Sequence, residues 1–224
     1  PDRLALYHYA HLPHIFKPQR RIDTDAVPGS EEKLDMLQYC VQTLTRRGYV
    51  FIGMDHFAKP DDELSVALRE GLLQRNFQGY STYADCDLVA IGVSSIGKIG
   101  STYSQNERNI DDYYAAIDAG HLPVMRGYQL NQDDLLRRTV IQDLMCRFAL
   151  DYRAYESVFG IPFGHYFKEE LADLQQLAEL GLVRLSSHGL KVTPKGRFLI
   201  RNIAMVFDYH LRHKETKAKY SQTV

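Results

Sequence analysis

Apolar positions along the chain fall into two rhythms. Residues 4–9, Leu-Ala-Leu-Tyr-His-Tyr, are almost continuously apolar or aromatic, the pattern of a short strand buried on both faces. Pro13 stops that run, and Pro18, Pro28 and Gly29 mark residues 17–29 as loop. The period then changes. Leu34, Leu37, Val41 and Leu44 recur at three- and four-residue steps, behind Ser30 with the acids Glu31 and Glu32, and ahead of Gly48. A capping hydroxyl, acids at the positive end of the dipole and a terminal glycine predict a helix between them. Residues 49–54 read as a second strand. Strand, crossover helix and strand predict a βα unit of a parallel α/β layer.

Pro60-Asp61-Asp62-Glu63 opens a second helix with Leu64, Leu68 and Leu72 on one face. Residues 75–83 are polar and aromatic, and residues 88–93 read as a strand running into the small-residue loop Gly92-Val93-Ser94-Ser95-Ile96-Gly97. Residues 111–119 form a short helix closed by Gly120. The character changes near Asn131, where an acidic first turn precedes Leu136, Val140, Leu144 and Phe148 at four-residue steps. Helices over 152–159 and 166–180 follow. Residues 182–185 and 190–193 flank Ser186-Ser187-His188-Gly189 as a hairpin, and Thr193-Pro194 starts a last helix over 194–213. Helices, hairpin and helix in that order make a winged-helix-like layout. The expected fold is α/β followed by a mostly helical part.

Composition narrows the function. The 224 residues hold 27 basic and 28 acidic side chains, net −1, and 45% are hydrophobic. That balance argues against a surface built throughout for nucleic acid or anionic membrane. Residues 1–130 carry net −4 and residues 131–224 net +3, too small a contrast to mark a nucleic-acid face. No run approaches the roughly 18 apolar residues of a bilayer span, and no secretion signal opens the chain. Cys40, Cys86 and Cys146 are odd in number and far apart, so they read as reduced thiols of a cytosolic protein.

Several clusters carry candidate chemistry. His8, His11 and His14 offer three imidazoles, but Pro13 and the strand pattern keep them off a shared helix face. Loop histidines past a strand end suit ligand contacts better. Asp55 and His56 are a candidate acid/base pair, although neighbours on an extended chain point to opposite sides. Arg75-Asn76-Phe77-Gln78-Gly79-Tyr80 combines a fixed cation, two amides, two aromatic faces and a glycine. Those groups suit a flat or carboxylated ligand; the alternative is a strand edge with solvated polar groups. The Gly92–Gly97 loop lacks the Lys-Ser/Thr ending of a phosphate loop and reads as a tight turn for close backbone approach. Residues 195–219 hold seven Lys/Arg against two Asp/Glu, which suits either nucleic acid or a solvated helix face backed by Leu199, Ile203 and Val206.

Together these stretches resemble the bacterial oxygen-independent coproporphyrinogen III oxidases. The motifs are Tyr9-Ala10-His11-Leu12-Pro13, the run from Ile52-Gly53-Met54-Asp55-His56 to Asp62-Glu63-Leu64, Gln74-Arg75-Asn76-Phe77-Gln78-Gly79-Tyr80-Ser81-Thr82, and Thr193-Pro194-Lys195-Gly196-Arg197-Phe198 with the residues to Ile203. They lie in family order along essentially the whole chain. The resemblance implies a radical S-adenosylmethionine (SAM) oxidoreductase of haem biosynthesis, which oxidatively decarboxylates two propionates of coproporphyrinogen III to the vinyls of protoporphyrinogen IX. It implies SAM and a [4Fe–4S] cluster on a CxxxCxxC motif, an electron donor, and a monomeric cytoplasmic enzyme.

This chain has no CxxxCxxC and begins at Pro1. The resemblance therefore implies the C-terminal half of such an enzyme, inactive alone, with the cluster ligands in the N-terminal half of the same protein. Residues 1–125 would be the end of a partial (β/α)6 barrel with a substrate-side extension, and residues 126–224 the winged-helix-like domain. Ala10 and Ile96 match SAM contacts, and Phe77 and Gln78 match the pair beside a second SAM molecule. The substrate's four carboxylates call for cations, and Arg75 and Arg126 are the expected pair, because a guanidinium binds carboxylate bidentately. Two other readings are a related haem chaperone, separable by haem titration, and a winged-helix nucleic-acid module, separable by salt-dependent DNA binding.

Overall fold

The computed structural model describes residues 1–83 and 86–213. β1 (Arg3–Ala5) keeps only Leu4 and Ala5 of the strand expected over residues 4–9. Past it the chain leaves as a loop through two short 3₁₀ turns at Lys17–Arg21 and Thr24–Ala26. α1 (Ser30–Arg46) follows with Leu37 buried, and Gly48 turns the chain at φ +83°. β2 (Val50–Gly53) then reverses through Met54, whose φ is +50°, into β3 (His56–Ala58). β3 lies between β2 and β1 and is antiparallel to both, with Arg3 opposite Ala58 and Leu4 opposite Phe57. β1 and β2 therefore run the same way, but they are not neighbours, and the expected parallel pair is corrected. The cause is Met54: its left-handed backbone folds residues 56–58 back as a strand, where Phe57 and Ala58 are fully buried.

α2 (Glu63–Glu70) is capped by Asp62, whose carboxylate accepts the Leu64 N–H. Gly71 ends it in the left-handed region, which turns Leu72 outward and makes Leu73 the core residue. β4 (Gln74–Asn76) and β5 (Gly79–Ser81) form a hairpin. The expected strand over 88–93 does not form. Only Leu88 bridges, to Lys98, and Ala90 and Gly92 give their carbonyls to the buried Asn106 side chain. The sheet in this region is instead β6 (Ile96–Ile99), β7 (Thr102–Asn106) and, after α3 (Ile110–Asp118), β8 (Val124–Gln129), all antiparallel.

α4 (Gln132–Arg147) opens on a reciprocal capping box between Asn131 and Asp134. Its expected stripe is buried at Leu136, Val140 and Leu144. β9 (Ala149–Asp151), α5 (Tyr152–Phe159), α6 (Phe163–Tyr166) and α7 (Lys168–Glu179) follow. The hairpin of β10 (Val183–Leu185) and β11 (Gly189–Val192) is joined by β9 as a third strand. The expected last helix is three pieces, α8 (Pro194–Phe198), α9 (Ile200–Met205) and α10 (Tyr209–Arg212). Phe207 is drawn into the core between the last two, and Asp208 recaps the chain by accepting the Leu211 N–H. Of the expected basic tail, Lys214, Lys217 and Lys219 lie outside the described residues.

One buried cluster contains Ile52, Leu73 and Tyr80 together with Val140, Leu144, Phe163, Ile203 and Phe207. Among the described residues no helix is long and apolar enough to cross a membrane.

Candidate functional site

The β4–β5 hairpin has a two-residue tip, Phe77-Gln78. Asn76 shapes it by accepting the Gln78 N–H on its side-chain oxygen at 2.8 Å. Gly79 closes it at φ +121°, and a Cβ there would stand 3.0 Å from His56 Nε2, so the tip needs glycine for conformation and for space. At the base, Arg75 stands opposite Tyr80 and lays its guanidinium over that ring at 4.7 Å. The Tyr80 hydroxyl donates to the Met145 carbonyl at 3.0 Å and ties the hairpin to α4. Burial raises the Tyr80 phenol far above its ordinary pKa, against the opposing charge of Arg75. The Arg75 Nη1 is buried and has no hydrogen-bond partner among the described residues.

Beside this hairpin lie Asp55 and His56. They touch, contrary to the expectation for neighbours on an extended chain, because Met54 bends the backbone: His56 Nδ1 is 2.8 Å from Asp55 Oδ1. The His56 ring meets Tyr80 edge-on at 5.3 Å and Tyr7 edge-on at 6.5 Å. Burial works to raise the Asp55 pKa, but the His56 bond and charge and the charge of Arg75 outweigh it and hold the carboxyl low. Burial, helped by the charge of Lys33, lowers the His8 pKa.

The hairpin tip reaches the second sheet. Phe77, 54% exposed, meets Tyr103 of β7 edge-on at 5.4 Å. Register places Ile96, Gln105 and Arg126 in one row across β6, β7 and β8, and Lys98, Tyr103 and Tyr128 in the next row of the same face. Arg126 donates to Gln105 Oε1 from Nε at 3.0 Å and from Nη2 at 2.7 Å. Phe77 thus abuts the face that carries Ile96 and Arg126, with Gln78 beside it and Arg75 two residues back.

Ala10 stands apart on the loop leaving β1. Gln19 clamps that loop, donating to the Ala10 carbonyl at 3.0 Å and accepting the Leu12 N–H at 2.5 Å. Among the described residues no hydrogen bond or ring contact joins Ala10 to the Phe77 tip or to Ile96. Gln19, Tyr103 and Gln105 escaped the sequence reading. The alternation of large and small side chains in Thr102-Tyr103-Ser104-Gln105 is the signal that could have exposed the last two.

His8, His11 and His14 do not form a metal site: among the described residues no group of three or more His, Cys, Asp or Glu is placed to hold an ion. Cys40, Cys86 and Cys146 are free, and burial pushes the Cys146 thiol up to about 12. These residues do not fit the role of iron–sulfur ligands. An exposed aromatic tip with an adjacent amide and a half-buried Ile96 fits a small organic cofactor better.

The oxygen-independent coproporphyrinogen III oxidase of Salmonella typhimurium is 50% identical over all 224 residues, which cover 49% of its own length. That of Pseudomonas aeruginosa is 51% identical over 94% of this chain and 46% of its own. This chain matches the C-terminal half of these oxygen-independent coproporphyrinogen III oxidases. Residues 130–199 match the model of the HemN C-terminal domain. A solved structure described as coproporphyrinogen III oxidase (HemN) from Escherichia coli, a radical SAM enzyme, superposes with a TM-score of 0.89 and 51% identity, over 94% of this chain and 49% of that one. The chain spans about half the length of the curated relatives it matches.

Proposed function

We propose that this chain is the substrate-side, C-terminal part of an oxygen-independent coproporphyrinogen III oxidase, a cytoplasmic oxidoreductase that converts coproporphyrinogen III to protoporphyrinogen IX. The observation that carries this reading is identity near 50% sustained over the whole chain, together with the 0.89 superposition. In this reading residues 1–125 close a partial (β/α)6 barrel and extend it on the substrate side, and residues 126–224 form a winged-helix-like domain.

SAM, when bound, supplies the carbon radical that removes hydrogen from a propionate, and the [4Fe–4S] cluster, fed by an external electron donor, is held outside this chain. Phe77 and Gln78 present an aromatic face and an amide to SAM, and Ile96 presents an apolar one from the sheet that Phe77 touches. Ala10 contributes a backbone surface kept in place by Gln19. Arg75 and Arg126 are the cations for substrate carboxylates. Arg126 donates to Gln105 from Nε and Nη2, whereas the buried Nη1 of Arg75 has no partner among the described residues.

The test is a chimera of this chain with the N-terminal half of the Pseudomonas aeruginosa relative. With SAM and a reductant it is expected to form protoporphyrinogen IX and 5′-deoxyadenosine, whereas this chain alone forms neither. A chimera that cleaves SAM but leaves coproporphyrinogen III unchanged would overturn the reading. Phe77→Ala in the chimera is expected to weaken SAM binding about tenfold, the scale of a lost stacking contact; unchanged SAM affinity removes Phe77 from that role.

A further inference from the structure

We propose that Arg75 forms the floor of a carboxylate-binding slot and that His56 keeps the slot open by holding Asp55 away from it. The proposal rests on the reading above only in placing the slot inside the oxidase. Buried polar groups in proteins are almost always bonded, so a buried guanidinium nitrogen with no partner asks for a reason. Arg75 has such a nitrogen, while the rest of the guanidinium lies over Tyr80. Tyr80 presents its ring rather than its hydroxyl to the guanidinium, and that hydroxyl points to the Met145 carbonyl. Asp55 feels the charge of Arg75, but it turns Oδ1 to His56 at 2.8 Å and makes no ion pair with Arg75 among the described residues. His56 is itself fixed, edge-on to the same Tyr80 ring that Arg75 covers and close against Gly79. In the proposal this bond is what keeps the acid from neutralising the arginine.

The unpartnered donor is buried two residues from the exposed Phe77 tip, the SAM contact of the reading above. A carboxylate is the anion whose planar geometry matches a guanidinium. Two carboxylates of this chemistry are available to such an enzyme, a propionate of the porphyrinogen and the amino-acid carboxylate of SAM. His56 is a positioning residue in this scheme and touches neither.

The experiment compares Arg75→Gln, His56→Phe and the double variant Asp55→Asn/His56→Phe in the active chimera, with the KM for coproporphyrinogen III and the Kd for SAM measured separately. Arg75→Gln is expected to raise one of the two constants at least tenfold, the scale of a lost hydrogen bond to a charged group, with kcat within about threefold. A rise in KM assigns the slot to a propionate, and a rise in Kd assigns it to SAM. His56→Phe keeps the ring packing, frees Asp55 to pair with Arg75, and is expected to raise the same constant about tenfold. The double variant is expected to restore it to within about threefold, a rescue that a purely structural role would not give. Asp55→Asn alone removes a negative charge beside the slot and is expected to lower that constant. Arg75→Gln with both constants unchanged overturns the slot. His56→Phe without a rise, a double variant without rescue, or a tenfold rise in Asp55→Asn overturns the guarding role. Failure of the parent reading looks different: the unmodified chimera would not decarboxylate the porphyrinogen.

Discussion

Gly53 has no room for a side chain. A Cβ there would strike the Tyr80 hydroxyl and crowd Phe148. Tyr80 cannot yield without leaving the Met145 carbonyl and dragging the Arg75 stack with it. Gly53→Ala is therefore expected to destabilise the protein by about 1–3 kcal/mol, the range of overpacked cores. A thermal midpoint unchanged from the parent would show that the hairpin slides without cost. Asp134 sets a second residue-level expectation. Its burial works against ionisation, but the Asn131 N–H, His210 and the Tyr128 hydroxyl bond to it and hold its pKa below the ordinary value. A folded-state pKa below the unfolded one contributes stability that is complete above the unfolded value of about 3.9 and lost as pH falls through the folded value. Asp134→Asn should flatten that acid limb in a plot of thermal midpoint against pH; an unaltered limb would assign it to other carboxylates. The patterning showed the residue types at the Asp55–His56 pair but not their contact. The contact depends on the φ of Met54, a non-glycine in the left-handed region, and the local sequence carries no signal for that.

At the scale of elements, legibility followed burial. α1, α3, α4, α5 and the β10–β11 hairpin lie within a residue or two of their expected bounds, because each has one buried stripe or a glycine or proline at an end. The sheet of β6, β7 and β8 did not show itself, since β8 is exposed at all six positions and has no alternation to read. That same sheet carries Ile96 and Arg126, so the least legible element supports much of the candidate site. The sequence predicts one last helix because the apolar spacing continues through the breaks; Phe207 entering the core and Asp208 capping a new turn are tertiary facts. α4 packs across the whole core, and its start is fixed by the Asn131–Asp134 box. Asn131→Ala removes the N-cap acceptor and is expected to cost about 1 kcal/mol, lowering the thermal midpoint by about 2–4 °C in a chain of this size. Asn131→Asp, which keeps an acceptor, should lose much less, and equal losses would point away from capping.

Across the whole molecule, the change of pattern near Asn131 does not coincide with a break in the core. Arg197 of α8 reaches back to β2 and donates from Nη2 to the Phe51 carbonyl at 2.8 Å and the Ile52 carbonyl at 3.0 Å. Its guanidinium lies 5.3 Å from the centre of the Phe51 ring and 4.3 Å from that of Phe148. Burial lowers its pKa, and carbonyl dipoles and aromatic faces rather than a carboxylate hold the charge. Tyr80 to Met145 and Gln142 to Gln74 make further links of the same kind. Side chains that belong to different rhythms of the sequence thus share one buried cluster, and they are expected to unfold as one cooperative unit. Unfolding followed by the near-ultraviolet signal of the tyrosines and by the helical far-ultraviolet signal should give coincident transitions. Arg197→Leu deprives the Phe51 and Ile52 carbonyls of a charged donor, a loss of about 1.5–3 kcal/mol, and should move both transitions down together. If the helical signal alone moved, or the transitions separated in the variant, the two parts would be independent units and Arg197 a local contact between them.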